Sequence, residues 1–194
     1  MKTRLAAAAL ALAAAVTLAG CSSTPPAHEG SHAAASTKAS SAADVNDADA
    51  MFATMMIPHH EQAIEMADML LAKDGIDKQV VDLAEAIKAA QGPEIEQLKG
   101  WLSAWGVDTH ASGHDGHGDG MMSHDDMAAL EKATGAAATS LFLEQMIEHH
   151  EGAVEMAEAE LTDGKNADAV ALAQRIVDAQ TAEIAEMRAL LGSQ

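Results

Sequence analysis

One cysteine, no tyrosine, two phenylalanines and two tryptophans among 194 residues leave little for several common architectures. A single thiol permits no internal disulfide framework, no cysteine-rich zinc site and no iron–sulfur cluster. With aromatics scarce and Ala, Leu, Met and Glu abundant, the composition favours helix over sheet. Basic residues are few as well, 11 Lys plus Arg against 30 Asp plus Glu, for a formal charge of −19. That balance argues against nucleic acid as a partner, because phosphate binding needs clustered Lys and Arg that release counterions. No Gly-rich phosphate loop, Ser-His-Asp set or activated cysteine is visible, so the residues offer binding chemistry more readily than catalysis.

Long apolar runs are absent except at the start. Residues 1–20 carry Lys2 and Arg4, then an apolar stretch from Leu5 to Ala19 that is too short to cross a membrane as a stable helix. This is the pattern of a secretory signal. Its end, Leu18-Ala19-Gly20-Cys21, resembles a bacterial lipobox, which implies that Cys21 becomes the first mature residue and carries a diacylglycerol thioether. Cleavage there removes two of the 11 basic residues and leaves nine against 30 acidic ones. The expectation is an exported protein, lipid-anchored to the outer face of the cytoplasmic membrane or in the periplasm. Two or more acyl chains give lasting attachment. Residues 21–45, rich in Ser, Thr and Ala with the pair Pro25-Pro26, read as a disordered tether, and residues 46–194 as the folded domain.

Within that domain the chain repeats itself. Residues 52–67 (FATMMIPHHEQAIEMA) and 142–157 (FLEQMIEHHEGAVEMA) are identical at ten of sixteen positions at an offset of 90. At an offset of 89, Leu83, Ile87, Gln91, Glu94, Ile95 and Leu98 match Leu172, Ile176, Gln180, Glu183, Ile184 and Met187. Each half is then a two-helix unit. Asn46 or Asp47 can cap the first helix, Gly75 breaks the chain, and a second helix runs from about Asp77 to Trp101. The second half repeats this around Gly164. A Gly, Asp and His-rich loop over about 106–123 joins the halves, with a short helix from about Asp125 to Lys132. The fold expected is all-α: an antiparallel four-helix bundle, ferritin-like, built from two duplicated αα-hairpins.

On a helical wheel His59 and His60 both fall within the apolar arc of their helix, with Met56 one turn earlier at i+3 and i+4 spacing. Glu61, Gln62, Glu65 and Asp68 take the opposite arc. His149, His150, Met146 and Met156 repeat the arrangement. A lone histidine on an apolar face is usually a hydrogen-bonded core residue, and a methionine stripe is usually packing. Four imidazoles buried together, however, cost on the order of 1 to 3 kcal/mol each without partners, and a bound metal offsets that cost. Thioether and imidazole without thiolate suit copper, Cu(I) through Met or Cu(II) through His, with silver as a mimic. Zinc or iron fits less well: zinc would use the histidines alone, and di-iron bundles place inward-facing Glu and Glu-x-x-His pairs that this wheel lacks.

Pro58 interrupts the repeat opposite Glu148. It either kinks a continuous helix just before His59 or is the first residue of a shorter one. The linking loop adds His110, His114, His117, Met121, Met122 and His124, a solvated linker or a weak collecting site for a soft or borderline cation. Trp101 and Trp105 are expected to cap the core end of the bundle.

The segments Met56-Ile57-Pro58-His59-His60-Glu61 through Met66-Ala67 and Met146-Ile147-Glu148-His149-His150-Glu151 through Met156-Ala157 resemble the paired signature of the domain-of-unknown-function 305 family, which includes the CopM-type copper-binding proteins. The resemblance spans roughly residues 46–192. It implies a ferritin-like exported bundle that binds copper in at least some members, with ligand candidates Met56, His59, His60, Met66, Met146, His149, His150 and Met156. Three readings stand at this point: copper binding or sequestration in homeostasis or resistance, a ferritin-like redox metalloenzyme, and a structural or interaction lipoprotein without metal.

Overall fold

The computed structural model describes residues 44–107 and 120–193. Five helices account for nearly all of them, and no strand occurs among the described residues. These are α1 (Asp47–Leu71), α2 (Lys78–Trp105), α3 (His124–Lys132), α4 (Gly135–Asp163) and α5 (Ala167–Leu191). None is long and apolar enough to cross a membrane. The signal segment, Cys21 and the tether up to residue 43 lie outside the described residues.

Helix ends follow from local chemistry. Asn46 and Asp49 form a capping box at the start of α1, the Asp49 N–H donating to Asn46 at 3.0 Å and the Asn46 N–H to Asp49 at 2.6 Å. Asp77 caps α2, Ser123 caps α3 with Asp126 as its box partner, and Asn166 caps α5. At the other end of α2, Gly106 adopts a left-handed conformation with φ 70°, and the Val107 N–H closes on the Leu102 carbonyl at 3.0 Å. The second helix therefore runs one turn past the expected Trp101, with Pro93 inside it.

Pro58 likewise lies inside α1, so the shorter helix beginning at the proline does not occur. The first three turns hold because the capping box anchors them and Phe52, Ala53 and Met56 are buried. Burying such side chains is worth about 1.5–3 kcal/mol each, enough to offset the backbone hydrogen bond that the proline removes.

The helices pack as a bundle. α1 lies against α2 and α4 against α5, while contact between α1 and α4 joins the halves and α3 leans on both. Two apolar clusters fill the interior. One gathers Met66, Leu70, Leu83, Leu130, Phe142, Leu143 and Met146, and the other Phe52, Met56, Leu98, Leu102, Leu172 and Ile176. Trp101 and Trp105, stacked with ring centroids 5.7 Å apart, are half-buried against the second cluster. A few exposed ion pairs tie hairpin partners, Lys99 to Glu61 at 2.8 Å in the first half and Arg188 to Glu151 in the second.

The residues leading into α3 are held closely against α1 and α4. Gly120 has φ +82°, and a side chain there would meet the Glu148 carbonyl at 2.6 Å and the Gly152 Cα at 2.9 Å. Only glycine fits so close to α4. Two residues on, the Gln62 amide clamps the Met122 backbone, accepting its N–H at 2.7 Å and donating to its carbonyl at 2.9 Å.

Candidate metal centre

α1 and α4 are the helices that carry the paired histidines, and their packing brings the two pairs together. All four imidazoles are buried, none more than 1% exposed. The His59 and His149 rings touch across the seam, with centroids 3.8 Å apart and planes inclined by 43°. His150 lies next to His149, with ring centroids separated by 6.4 Å.

The outer histidines are held by a feature the sequence reading passed over. The Nε2 of His60 pairs with Glu94 of α2 at 2.8 Å, and the Nε2 of His150 with Glu183 of α5 at 2.7 Å. The second helix of each hairpin thus supplies an acceptor. With Nε2–H donating to the carboxylate, Nδ1 keeps its lone pair. No protein group satisfies Nδ1 in either ring. A carboxylate that fixes one imidazole nitrogen and leaves the other open is the usual outer partner of a metal-bound histidine. Gln91 and Gln180, one turn before these glutamates, are also buried, each with its Oε1 without a partner. The signal was available: both Gln–Glu pairs recur at the 89-residue offset, polar residues repeated on an otherwise apolar face.

His149 is the most deeply desolvated of the group. Burial first, then the neighbouring imidazoles of His59, His150 and His60, push its pKa well below the usual histidine value, against a smaller opposing backbone interaction with His59. The ring is therefore neutral at physiological pH, the form that coordinates. Neither of its nitrogens has a partner in hydrogen-bonding geometry.

The methionines divide between the two sides of this layer. Met56 and Met156 belong to one apolar cluster and Met66 and Met146 to the other. Met56, Met66 and Met146 are fully buried, whereas Met156 is half-buried. Each side of the imidazole layer thus has one thioether from α1 and one from α4. Among the described residues no three His, Cys, Asp or Glu side chains converge to hold an ion by themselves, so an ion here would draw on the thioethers. The donors present, neutral imidazole and thioether, fit a soft or borderline cation such as copper.

The carboxylates of the histidine motif face away. Glu61, Glu65, Glu151 and Glu155 are all exposed, as their place on the polar arc requires. The expected loop site fares differently. His110, His114 and His117 lie outside the described residues, Met121 is half-buried, and His124 is exposed at the first position of α3. Met122 is not a solvated loop residue. It is 5% exposed and packed in the apolar cluster with Leu130, because the Gln62 clamp turns it inward and burial of its side chain outweighs solvation.

The sequence profile of the domain-of-unknown-function family DUF305 matches residues 49–191. The chain belongs to the DUF305 family. Among solved structures, a DUF305 protein from Streptomyces coelicolor superposes with a TM-score of 0.69 at 31% identity, covering 75% of this chain and 93% of that one. A DUF305 fragment from Deinococcus radiodurans gives 0.69 at 29% identity, over 77% of this chain and 99% of the fragment. CopM in its Cu(II)-bound form gives 0.64 at 34% identity, over 75% and 96%. CopM is also known in Cu(I)-bound, silver-bound and apo forms. No protein of curated function matches in sequence. This DUF305 chain therefore shares its helical bundle with a protein that binds copper and silver.

Proposed function

We propose that this DUF305 protein is an exported, lipid-anchored copper-binding protein whose bundle core takes up copper to sequester it or pass it on. The observation that carries the reading is the His59–His149 contact across the α1–α4 seam, flanked by His60 and His150 whose outer nitrogens are already held by Glu94 and Glu183. Duplicated thioethers on either side of that layer favour Cu(I), and the imidazoles would serve Cu(II). Likeness to copper-bound CopM supports the same cargo. In this reading the four long helices form an antiparallel, ferritin-like bundle with pseudo-twofold symmetry, α3 being an addition between its halves. The N-terminal segment directs export, and Cys21 attaches the protein to the membrane surface.

Thermal unfolding tests the proposal. Binding to the native state alone raises stability by about 2.7 kcal/mol at a ligand concentration one hundred times Kd. Cu(I), Ag(I), Cu(II), Zn(II) and Fe(II) are added to the Cys21→Ser protein and to the same protein carrying His149→Asn. The expected result is a rise in melting temperature with copper or silver that His149→Asn largely removes. A rise that survives in the variant would move the binder to the His-rich loop, and the absence of any shift would leave the interaction lipoprotein as the reading to pursue.

A further inference from the structure

The duplication makes one departure from symmetry conspicuous. In the second half, α3 covers the α1–α4 seam: the Gln145 amide donates to the Asp126 carbonyl at 3.0 Å, Leu130 is fully buried beside Met66 and Met146, and Leu141 and Met69 pack against them. At the 90-residue offset the first half replaces Leu141 by Met51 and Gln145 by Met55. No described helix lies over that end of the seam. The segment at the offset corresponding to α3, residues 34–42, reads AASTKASSA and has no counterpart in sequence to Met127 or Leu130. Met51 and Met55 are accordingly 62% and 38% exposed, the only exposed large hydrophobic residues among those described.

They are not scattered. Together with Phe52, Met156, Glu160 and Asp163 they line an open cavity of about 150 Å³. Met51 and Met55 stand one turn apart on the same face of α1, Met156 faces them from α4, and His59 follows Met55 by one further turn. Packing gives no reason for two solvent-exposed thioethers in place of the Leu and Gln used at the matching seam. Soft-cation chemistry does, since thioether sulfur selects monovalent copper and silver over harder ions. The geometry points to a second, surface-accessible site for a soft monovalent cation, formed by the thioethers of Met51, Met55 and Met156 with the Glu160 and Asp163 carboxyls beside it. Its position at the open end of the seam makes it the loading site for the histidine layer. That destination rests on the copper-binding reading above; the surface site does not.

Methionine-methyl NMR of the full chain carrying Cys21→Ser, labelled at the methionine methyl carbon and titrated with Ag(I), distinguishes the two. The expected result is that the Met51, Met55 and Met156 methyl signals move along one titration curve. In Met51→Leu/Met55→Leu the Met156 movement should need at least about tenfold more Ag(I), the lower end of what losing even an outer-shell partner costs a metal site. Stationary Met51 and Met55 signals would overturn the proposal, as would Met156 movement unchanged in the double variant. If those three signals move while Met56, Met66 and Met146 stay still, the surface site stands and the core reading fails. Movement confined to Met56, Met66 and Met146 overturns the surface site alone.

Discussion

Replacing Glu160 by Gln should make this protein more stable in mild alkali, and the size of the effect follows from a buried acid pair. Asp49 is fully buried at the start of α1, where it caps not only its own helix but the next hairpin's turn, accepting the N–H groups of Lys165 at 3.0 Å and Asn166 at 2.8 Å. Burial works against its ionisation, but the backbone donors of Asn46, Asn166 and Lys165 and the hydrogen bond with Glu160 hold its pKa below the usual carboxylate value. Glu160, 1% exposed, bears the opposite consequence. Burial, then the hydrogen bond to Asp49 and its charge, then the charge of Asp163, raise its pKa from 4.5 to about 8. At neutral pH Glu160 is thus protonated, a state in which it has a proton to offer the Asp49 carboxylate. The folded chain holds this proton between pH 4.5 and about 8 while the unfolded chain has released it, so stability falls as pH rises through that window. At about 1.4 kcal/mol for each unit, raising the pKa from 4.5 to about 8 corresponds to several kcal/mol. This is large beside the ~5–15 kcal/mol that holds a domain together. Glu160→Gln keeps a donor toward Asp49 at every pH and removes the titration. Urea unfolding from pH 5 to 8.5 should therefore find the two proteins nearly alike at the acid end and the variant more stable by several kcal/mol at the alkaline end. In melting temperature that is about 2–4 °C for each kcal/mol. Parallel profiles for the two proteins would refute the proton-sharing account.

Three other perturbations have definite expected outcomes. Glu94→Gln or Glu183→Gln should leave the fold intact yet weaken metal affinity by roughly 10–100-fold, the usual cost of removing an outer partner of a ligating histidine, as isothermal titration with Ag(I) would measure; unchanged affinity would separate these carboxylates from the site. Gly120→Ala should cost about 1–3 kcal/mol, since its φ is +82° and the new methyl would meet the Glu148 carbonyl, whereas Gly75→Ala, at φ +75° but in open space, should cost only about 1 kcal/mol; denaturant midpoints decide between them. The depressed pKa of His149 means that its share of stability is complete above its ordinary value of 6.5 and is lost as pH falls below it, so His149→Asn should flatten the acid limb of a melting-temperature profile.

Much of this molecule could be read in its residues because a repeat is a comparison the chain makes with itself. The duplicated segments placed the histidines on two equivalent helices, and burial of all four followed from their position among Phe52, Met56 and Ala63. The partners Glu94 and Glu183 were hidden by their place at the margin of an apolar stripe, where a wheel cannot tell a carboxylate turned inward from one turned to water. The burial of Met122 was illegible for another reason. Neighbouring glycines and histidines marked it as loop, yet its backbone is gripped by Gln62, sixty residues away, a contact no local pattern encodes. Pro58 and Pro93 inside helices show tertiary packing overriding local propensity. The Asp49–Glu160 pair joins residues with no periodic relation and could be found only in three dimensions.

The meeting of α1 and α4 has a consequence for dilution. His59 comes from one hairpin and His149 from the other, so neither hairpin alone contains the touching pair. As separate chains, two such hairpins would build it only as often as they collided and only while concentrated enough to stay associated. Joined in one chain, each meets the other intramolecularly, at an effective concentration that dilution of the protein does not change. The imidazole pair therefore persists however sparse the protein becomes, and its occupancy depends on the supply of the ion alone.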